Sequence, residues 1–149
     1  MEADDPKVSP ADAICRFVPP FIRFLREGLA QVGMSPARFQ LLQALREDGP
    51  QSMVDLAGAL SVTKRNVTTL VDGLETAGLA ARRPHPTDRR STLVELTAEG
   101  AALAAQAAQV QRRHLEGLLA RLDPGRREDM AGALLELVDA MKETRGGGR

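Results

Sequence analysis

Apolar residues recur along most of this chain at helical spacing, and the places where that spacing breaks divide it into elements. Ile14, Phe17, Val18, Phe21, Leu25 and Leu29 form the first stripe and predict a helix from residue 11. Pro19 and Pro20 fall inside it, and two missing N–H donors plus two ring clashes with the preceding turn predict a kink or a restart there. Ser35-Pro36 is an N-cap followed by proline at the first helical position; it opens a helix with Phe39, Leu42 and Leu45 inward, which Gly49-Pro50 ends. Met53, Leu56, Ala57 and Leu60 mark a two-turn helix. Only Ser61 and Val62 separate it from the next stripe, Val67, Leu70, Val71, Leu74 and Ala77. Thr63 stands at the N-cap of that second helix and Gly78-Leu79 reads as a Schellman stop, so the helix is expected over residues 63–77.

Beyond Gly78 the pattern changes. Residues 80–83 and 91–96 are strand-like, with Val94 and Leu96 on one side, and Pro84 and Pro86 in the intervening PHPTDRR forbid a continued ladder. A two-stranded wing is expected. Thr97 then caps a long helix over residues 98–121, carrying Leu103, Ala104, Ala107, Val110 and Leu118, with so much alanine that another helix can approach closely. Asp123-Pro124 is a second cap-and-proline start, and Met130, Leu134, Leu137, Val138 and Met141 continue a stripe to residue 144. Residues 1–10 are expected to fray and RGGGR, 145–149, to form a disordered tail. The two ends thus supply apolar stripes without a central body to cover them, and a homodimer is the economical solution.

The polar side of the 63–77 helix is unusual. At roughly 100° per residue it gathers Arg65, Asn66, Thr68, Thr69 and Asp72, with Thr63 and Lys64 at its start. A merely solvated helix favours Glu and Lys at i, i+4, whereas Asn, Thr and Arg sacrifice helix propensity but hydrogen-bond base edges and phosphates. Two helices joined this tightly cross steeply, as in a helix-turn-helix whose second helix is free to read a groove. The segment 82–90 adds Arg82, Arg83, Arg89 and Arg90 against the single acid Asp88, a local surplus of +3 in a chain of formal net charge +0. A projecting basic loop suits phosphate and minor-groove contact, and His85 within it can touch phosphate or be an ordinary loop histidine.

These residues carry a family resemblance. The blocks SPARFQLLQAL (35–45), Gly49-Pro50, LAxxLxVTxxxVTxLVDxLExxGL (56–79) and PTDRRSTLVELTAEG (86–100) resemble the MarR family of bacterial winged-helix transcription regulators. The resemblance implies a mainly α fold with a small β-wing: a winged helix-turn-helix DNA-binding lobe at 35–97 and a helical dimerisation lobe from 11–34 and 98–144. It implies a homodimeric, cytoplasmic repressor on palindromic operators, responsive to a ligand or to redox state. It places Arg90 in the minor groove with Asp88 holding its guanidinium, and a phenolic or other lipophilic effector in a crevice lined by the first, second and fifth helices. The Pro19-Pro20 pair departs from the family's smoother first helix.

Composition narrows the alternatives. The chain has 149 residues, 43% of them hydrophobic but only 3% aromatic, so its core rests on Leu, Ala and Val in long helices. With 20 basic and 20 acidic residues in balance, a nonspecific polycationic DNA coat is excluded and recognition must be local. There is no leader pattern and no apolar run near the roughly 18 residues of a membrane span, so a cytoplasmic location is expected. One cysteine excludes an intrachain disulfide. Cys15 is either a small buried apolar group or a redox sensor; the peroxide-sensing subgroup of the resembled family supports its cysteine with tyrosines, and this chain has none. His114, midway along the long helix, reads as surface or interhelix hydrogen bonding. No metal-ligand spacing, nucleophile motif or phosphate-cradling glycine loop occurs, so neither an enzyme nor a bound cofactor is expected. The competing function is a winged-helix protein-interaction module without DNA binding, which would need aromatic or aliphatic anchors where this chain has Arg65, Asn66 and Thr69.

Overall fold

In the computed structural model, which describes residues 8–146, the chain runs α1 (Pro10–Ala30), α2 (Pro36–Asp48), β1 (Gln51–Ser52), α3 (Met53–Leu60), α4 (Lys64–Thr76), β2 (Ala80–Pro84), β3 (Thr92–Leu96), α5 (Ala98–Leu119) and α6 (Pro124–Gly146). The fold is mainly helical with a small antiparallel sheet, as expected from the pattern. Contacts divide it within α5, residues through Arg112 forming one compact unit and those from Arg113 a second.

The first unit holds the core. Leu29 of α1, Leu41, Leu42 and Leu45 of α2, Leu56 of α3, Val67, Val71 and Leu74 of α4, Val94 of β3, and Ala104 and Ala107 of α5 are all buried. Alanine lets α5 approach α2, and Gln43 Nε2 donates to the Ala104 carbonyl at 2.9 Å. Each side-chain cap read from the sequence in this unit is present: Ser35, Thr63 and Thr97 accept from the N–H groups of Arg38, Asn66 and Gly100, and Ser52, not expected as a cap, accepts from that of Asp55. At the end of α4 the expected Schellman stop forms, with Gly78 at φ 71° and N–H bonds from Gly78 to the Glu75 carbonyl and from Leu79 to that of Leu74.

Four expectations are corrected. The helix containing Pro19 and Pro20 neither restarts nor breaks but is continuous from Pro10, with Ser9 as N-cap, so it begins before residue 11. Its residues 10–20 are all exposed, so the carbonyls that lose their N–H partners at Pro19 and Pro20 are not shut away from water. The sheet has three strands in the order β1-β3-β2, not two; Gln51 pairs with Val94 and Ser52 with Leu93. A two-residue strand has no periodicity to read, and the side chain of Gln51 secures it by donating to the Ala44 carbonyl at 3.0 Å. The long helix ends at Leu119, short of 121, and α6 continues through Gly146, past the start of the expected tail. Residues 1–7 of the expected frayed start and 147–149 of the tail lie outside the described residues.

In the second unit α6 starts at Pro124 after Asp123, whose carbonyl takes the Arg127 N–H at 3.0 Å while Arg127 Nε donates to the Leu122 carbonyl at 2.8 Å. Leu134, Leu135, Leu137, Val138 and Met141 are exposed along it.

One glycine is required by contact. A Cβ on Gly100 would stand 1.8 Å from the Leu79 carbonyl oxygen, a backbone atom that cannot swing aside. Gly58 of α3 has open space around its missing Cβ. Gly100→Ala should therefore destabilise by at least the roughly 1–3 kcal/mol typical of overpacking, whereas Gly58→Ala should stabilise by about 0.5–1 kcal/mol through helix propensity. Urea unfolding of the two variants, which make the same chemical change, checks this; equal midpoints would refute the packing at Leu79.

Candidate nucleic-acid interface

Three zero-exposure residues of α4, Val67, Val71 and Leu74, fix the helix's rotation, and its other face is therefore turned outward. Thr63, Lys64, Arg65, Asn66, Thr68, Thr69 and Asp72 are all exposed there. Among the described residues the side chains of Lys64, Arg65 and Asn66 make no hydrogen bond or ion pair, so their donors are available. The threonines are different: Thr68 Oγ1 donates to the Lys64 carbonyl at 2.9 Å and Thr69 Oγ1 to the Arg65 carbonyl at 3.2 Å. With the hydroxyl protons committed one turn back, these side chains present an acceptor oxygen and a methyl group outward.

The wing is the hairpin of β2 and β3, in register from Ala80 opposite Leu96 to Pro84 opposite Thr92. Contrary to the expectation that Pro84 forbids a continued ladder, β2 runs through Pro84, whose missing N–H leaves its pairing with Thr92 intact, and between the two prolines one more backbone bond, His85 N–H to the Ser91 carbonyl at 3.2 Å, closes the loop. Inside it His85 Nδ1 accepts from the N–H groups of Thr87 (3.2 Å) and Asp88 (3.1 Å). A ring whose Nδ1 accepts carries its proton on Nε2, so His85 braces the loop from within and presents a neutral N–H donor. Asp88 Oδ1 accepts from the backbone N–H of Arg90 at 2.9 Å. This is an aspartate turn, in which the carboxylate shapes the backbone two residues on, as short acidic side chains do in tight loops.

The four wing arginines do not act alike. Arg82 Nη2 lies 2.7 Å from Asp72 Oδ1, its Nη1 pairs with Glu75 Oε2, and its backbone N–H donates to Glu75 Oε1 at 2.9 Å. Partial burial by itself disfavours the charged guanidinium, but hydrogen bonds and charge from Asp72 and Glu75 outweigh it and raise its pKa above the ordinary arginine value. Arg83 pairs with Glu95 across the strands at 3.2 Å. Arg89 and Arg90, both exposed, make no ion pair among the described residues. The surplus of +3 counted along the sequence is therefore not the charge the wing presents: two of its arginines are matched by acids of α4 and β3. Nothing in the local sequence marks Asp72 and Glu75 as partners of Arg82, because the pairing depends on how β2 returns beside α4.

Between the starts of α3 and α4 and the wing loop lies an open groove of about 370 Å³, bordered by Met53, Val54, Lys64, Asp88, Arg90 and Thr92. It joins the available cation of α4 to that of the wing tip. Cys15 is exposed on α1, which corrects its reading as a small buried group, since residues 10–20 of that helix are all exposed. Among the described residues no group of three or more His, Cys, Asp or Glu could hold a metal ion, and no helix is long and apolar enough to cross a membrane.

Comparison with known proteins agrees with this arrangement. Residues 34–92 match the model of the MarR family. The HTH-type transcriptional repressor NicR of Pseudomonas putida is 32% identical over 107 residues, covering 72% of this chain and 68% of that protein. Among solved structures, a mutant MarR from E. coli superposes with a TM-score of 0.79 at 26% identity, covering 88% of this chain and 97% of that one. The transcriptional repressor CouR, solved bound to a 23-mer DNA duplex, gives a TM-score of 0.77 at 25% identity, with 93% of this chain and 98% of that one covered. A winged helix-turn-helix with this register, these caps and this similarity over its length belongs to the MarR family of transcriptional regulators.

Proposed function

We propose that this chain is a sequence-specific DNA-binding repressor that acts as a homodimer on palindromic operators, setting α4 in the major groove and its wing in the flanking minor groove. The observation that carries this reading is the pairing of two exposed surfaces with uncommitted donors, Lys64, Arg65 and Asn66 on α4 and Arg89 and Arg90 on the wing, with Lys64 and Arg90 bordering one groove between them. Phosphate contacts from the cations orient the protein, while Asn66, Thr68 and Thr69 meet base edges. The reading as a protein-interaction module is disfavoured because this face offers no large apolar anchor apart from Val54 and Met53 at its rim.

Residues 35–97 form the DNA-binding lobe in this proposal, and 11–34 with 98–144 the dimerisation lobe. Support comes from the exposed apolar residues Ile14, Phe17, Val18 and Ile22 on α1 and Leu134, Leu135, Leu137, Val138 and Met141 on α6, more than a monomer leaves in water without reason. The protein works in the cytoplasm. Release from DNA by a small lipophilic or phenolic effector near α1, α2 and α5 is proposed from the family resemblance and supported by two buried polar atoms without a partner among the described residues, Arg38 Nε and Gln111 Oε1.

Sedimentation at low micromolar concentration should give a dimer; a well-folded monomer would remove the palindrome from the proposal. On a duplex selected in vitro with the wild-type protein, Asn66→Ala or Thr69→Ala should cost about 1–3 kcal/mol per half-site and leave random-DNA binding nearly intact. Equal losses on both DNAs would show that α4 does not read bases. Arg90→Lys should cost more affinity than Arg89→Lys, and most on A·T-rich flanks, because a planar, weakly hydrated guanidinium enters a narrow minor groove more readily than an ammonium. Titration at fixed salt against A·T and G·C flanks decides it, and identical losses for the two variants would reject the minor-groove assignment of Arg90.

A further inference from the structure

We propose that Arg82 is a positioning residue rather than a DNA contact: by bridging Asp72 and Glu75, it locks the base of the wing to α4 and so sets where the wing tip meets DNA. This rests on the DNA-binding reading above and specifies how one part of that surface is aimed.

The hairpin's own ladder fixes its strands relative to each other, and β1 and the buried Val94 and Ala80 anchor its base to the core, but none of these ties the outer half of β2 to α4. Between α4 and β2 the chain offers only the turn at Ala77, Gly78 and Leu79. Arg82, at the middle of β2, supplies the missing cross-tie. Asp72 and Glu75 lie three residues apart on one side of α4, and Glu75 takes both the backbone N–H and the guanidinium of Arg82 while Asp72 takes the other guanidinium nitrogen. The fork is rigid and planar, so three bonds to two carboxylates define an orientation that a lysine ammonium on a flexible stem cannot. The guanidinium is only 28% exposed, which limits both solvent screening and competition from phosphate.

A lever argument gives the consequence. From Arg82 to His85 the strand spans about 10 Å at 3.3 Å per residue, so a tilt of about 10° at the base displaces the start of the loop by roughly 2 Å. That exceeds what a hydrogen bond or a narrow groove tolerates. The same cross-tie neutralises Asp72, which otherwise stands as an unpaired acid, 60% exposed, on the face of α4 assigned to the major groove.

Glu75→Gln separates positioning from simple charge. Removing an acid near a polyanion should tighten DNA binding if electrostatics alone operate. Positioning requires the opposite: about ten-fold weaker binding to the selected duplex, loss of its A·T-flank preference, and loss of minor-groove protection in the flanks of a hydroxyl-radical footprint while central protection persists. Random-DNA affinity should hold or rise. Arg82→Lys keeps the net charge and the folded core yet loses the fork, so it should show the same loss of flank preference with the salt dependence of binding retained. Unchanged or tighter binding by Glu75→Gln with flank protection intact overturns the proposal, as does a flank preference preserved in Arg82→Lys. Should the wild-type protein select no duplex at all, the DNA-binding reading itself fails, which is a distinct outcome; should Glu75→Gln not fold, Arg82→Lys decides.

Discussion

The DNA-facing surface depends on a knot of backbone contacts just after α4. Thr97 donates its N–H to the Leu79 carbonyl at 3.1 Å and its hydroxyl to the Gly78 carbonyl at 2.6 Å, and the same hydroxyl accepts from the Gly100 N–H at 3.0 Å. Gly100, lacking a Cβ, allows the first turn of α5 to rest on Leu79. The end of α4, the first residue of β2, the last of β3 and the start of α5 therefore meet at one point. Because Thr97 caps α5 and at the same time bonds both carbonyls of the turn that follows α4, that point is stiff, and the wing and α5 cannot move there independently. Above this point β1 holds the edge of β3, and Arg82 holds the middle of β2 to α4.

This division explains which features were legible in the sequence. Helix rotation, caps and stops depend on residues within four or five positions of one another, so the stripes of α2, α4 and α5, the caps at Ser35, Thr63 and Thr97, and the Gly78 stop could all be read. The exposed face of α4 followed from them, since burying Val67, Val71 and Leu74 leaves the outward residues no choice. Features that join distant segments were not legible. Arg82 looked like one of four equivalent cations because its partners are seven and ten residues away on another element. Gly100 looked like an ordinary residue in a helical first turn, and only the approach of Leu79 makes a side chain there impossible. β1 was invisible for another reason, having two residues and depending on the edge of β3. Pro19 and Pro20 predict a kink or restart from their missing N–H donors and ring clashes, yet α1 runs on through them, in a stretch, residues 10–20, that is exposed throughout.

Charge leads to the same conclusion from another side. The chain has a formal net charge of +0, and of the cations near α4 and the wing, Arg82 and Arg83 are matched by Asp72, Glu75 and Glu95. Lys64, Arg65, Arg89 and Arg90 remain as the cations available to phosphate on this surface. A protein with a large basic field can tolerate a badly aimed wing, because counterion release holds it on any DNA it meets. One with so few available cations cannot, since each must find a phosphate or a groove to contribute. Fixing the wing by an internal ion-pair network, at the expense of cations that would otherwise add nonspecific affinity, therefore shifts the balance from strength of attachment toward discrimination. Fidelity on the operator then rests on geometry held by Arg82 and Gly100, two residues that in this arrangement need not touch the DNA.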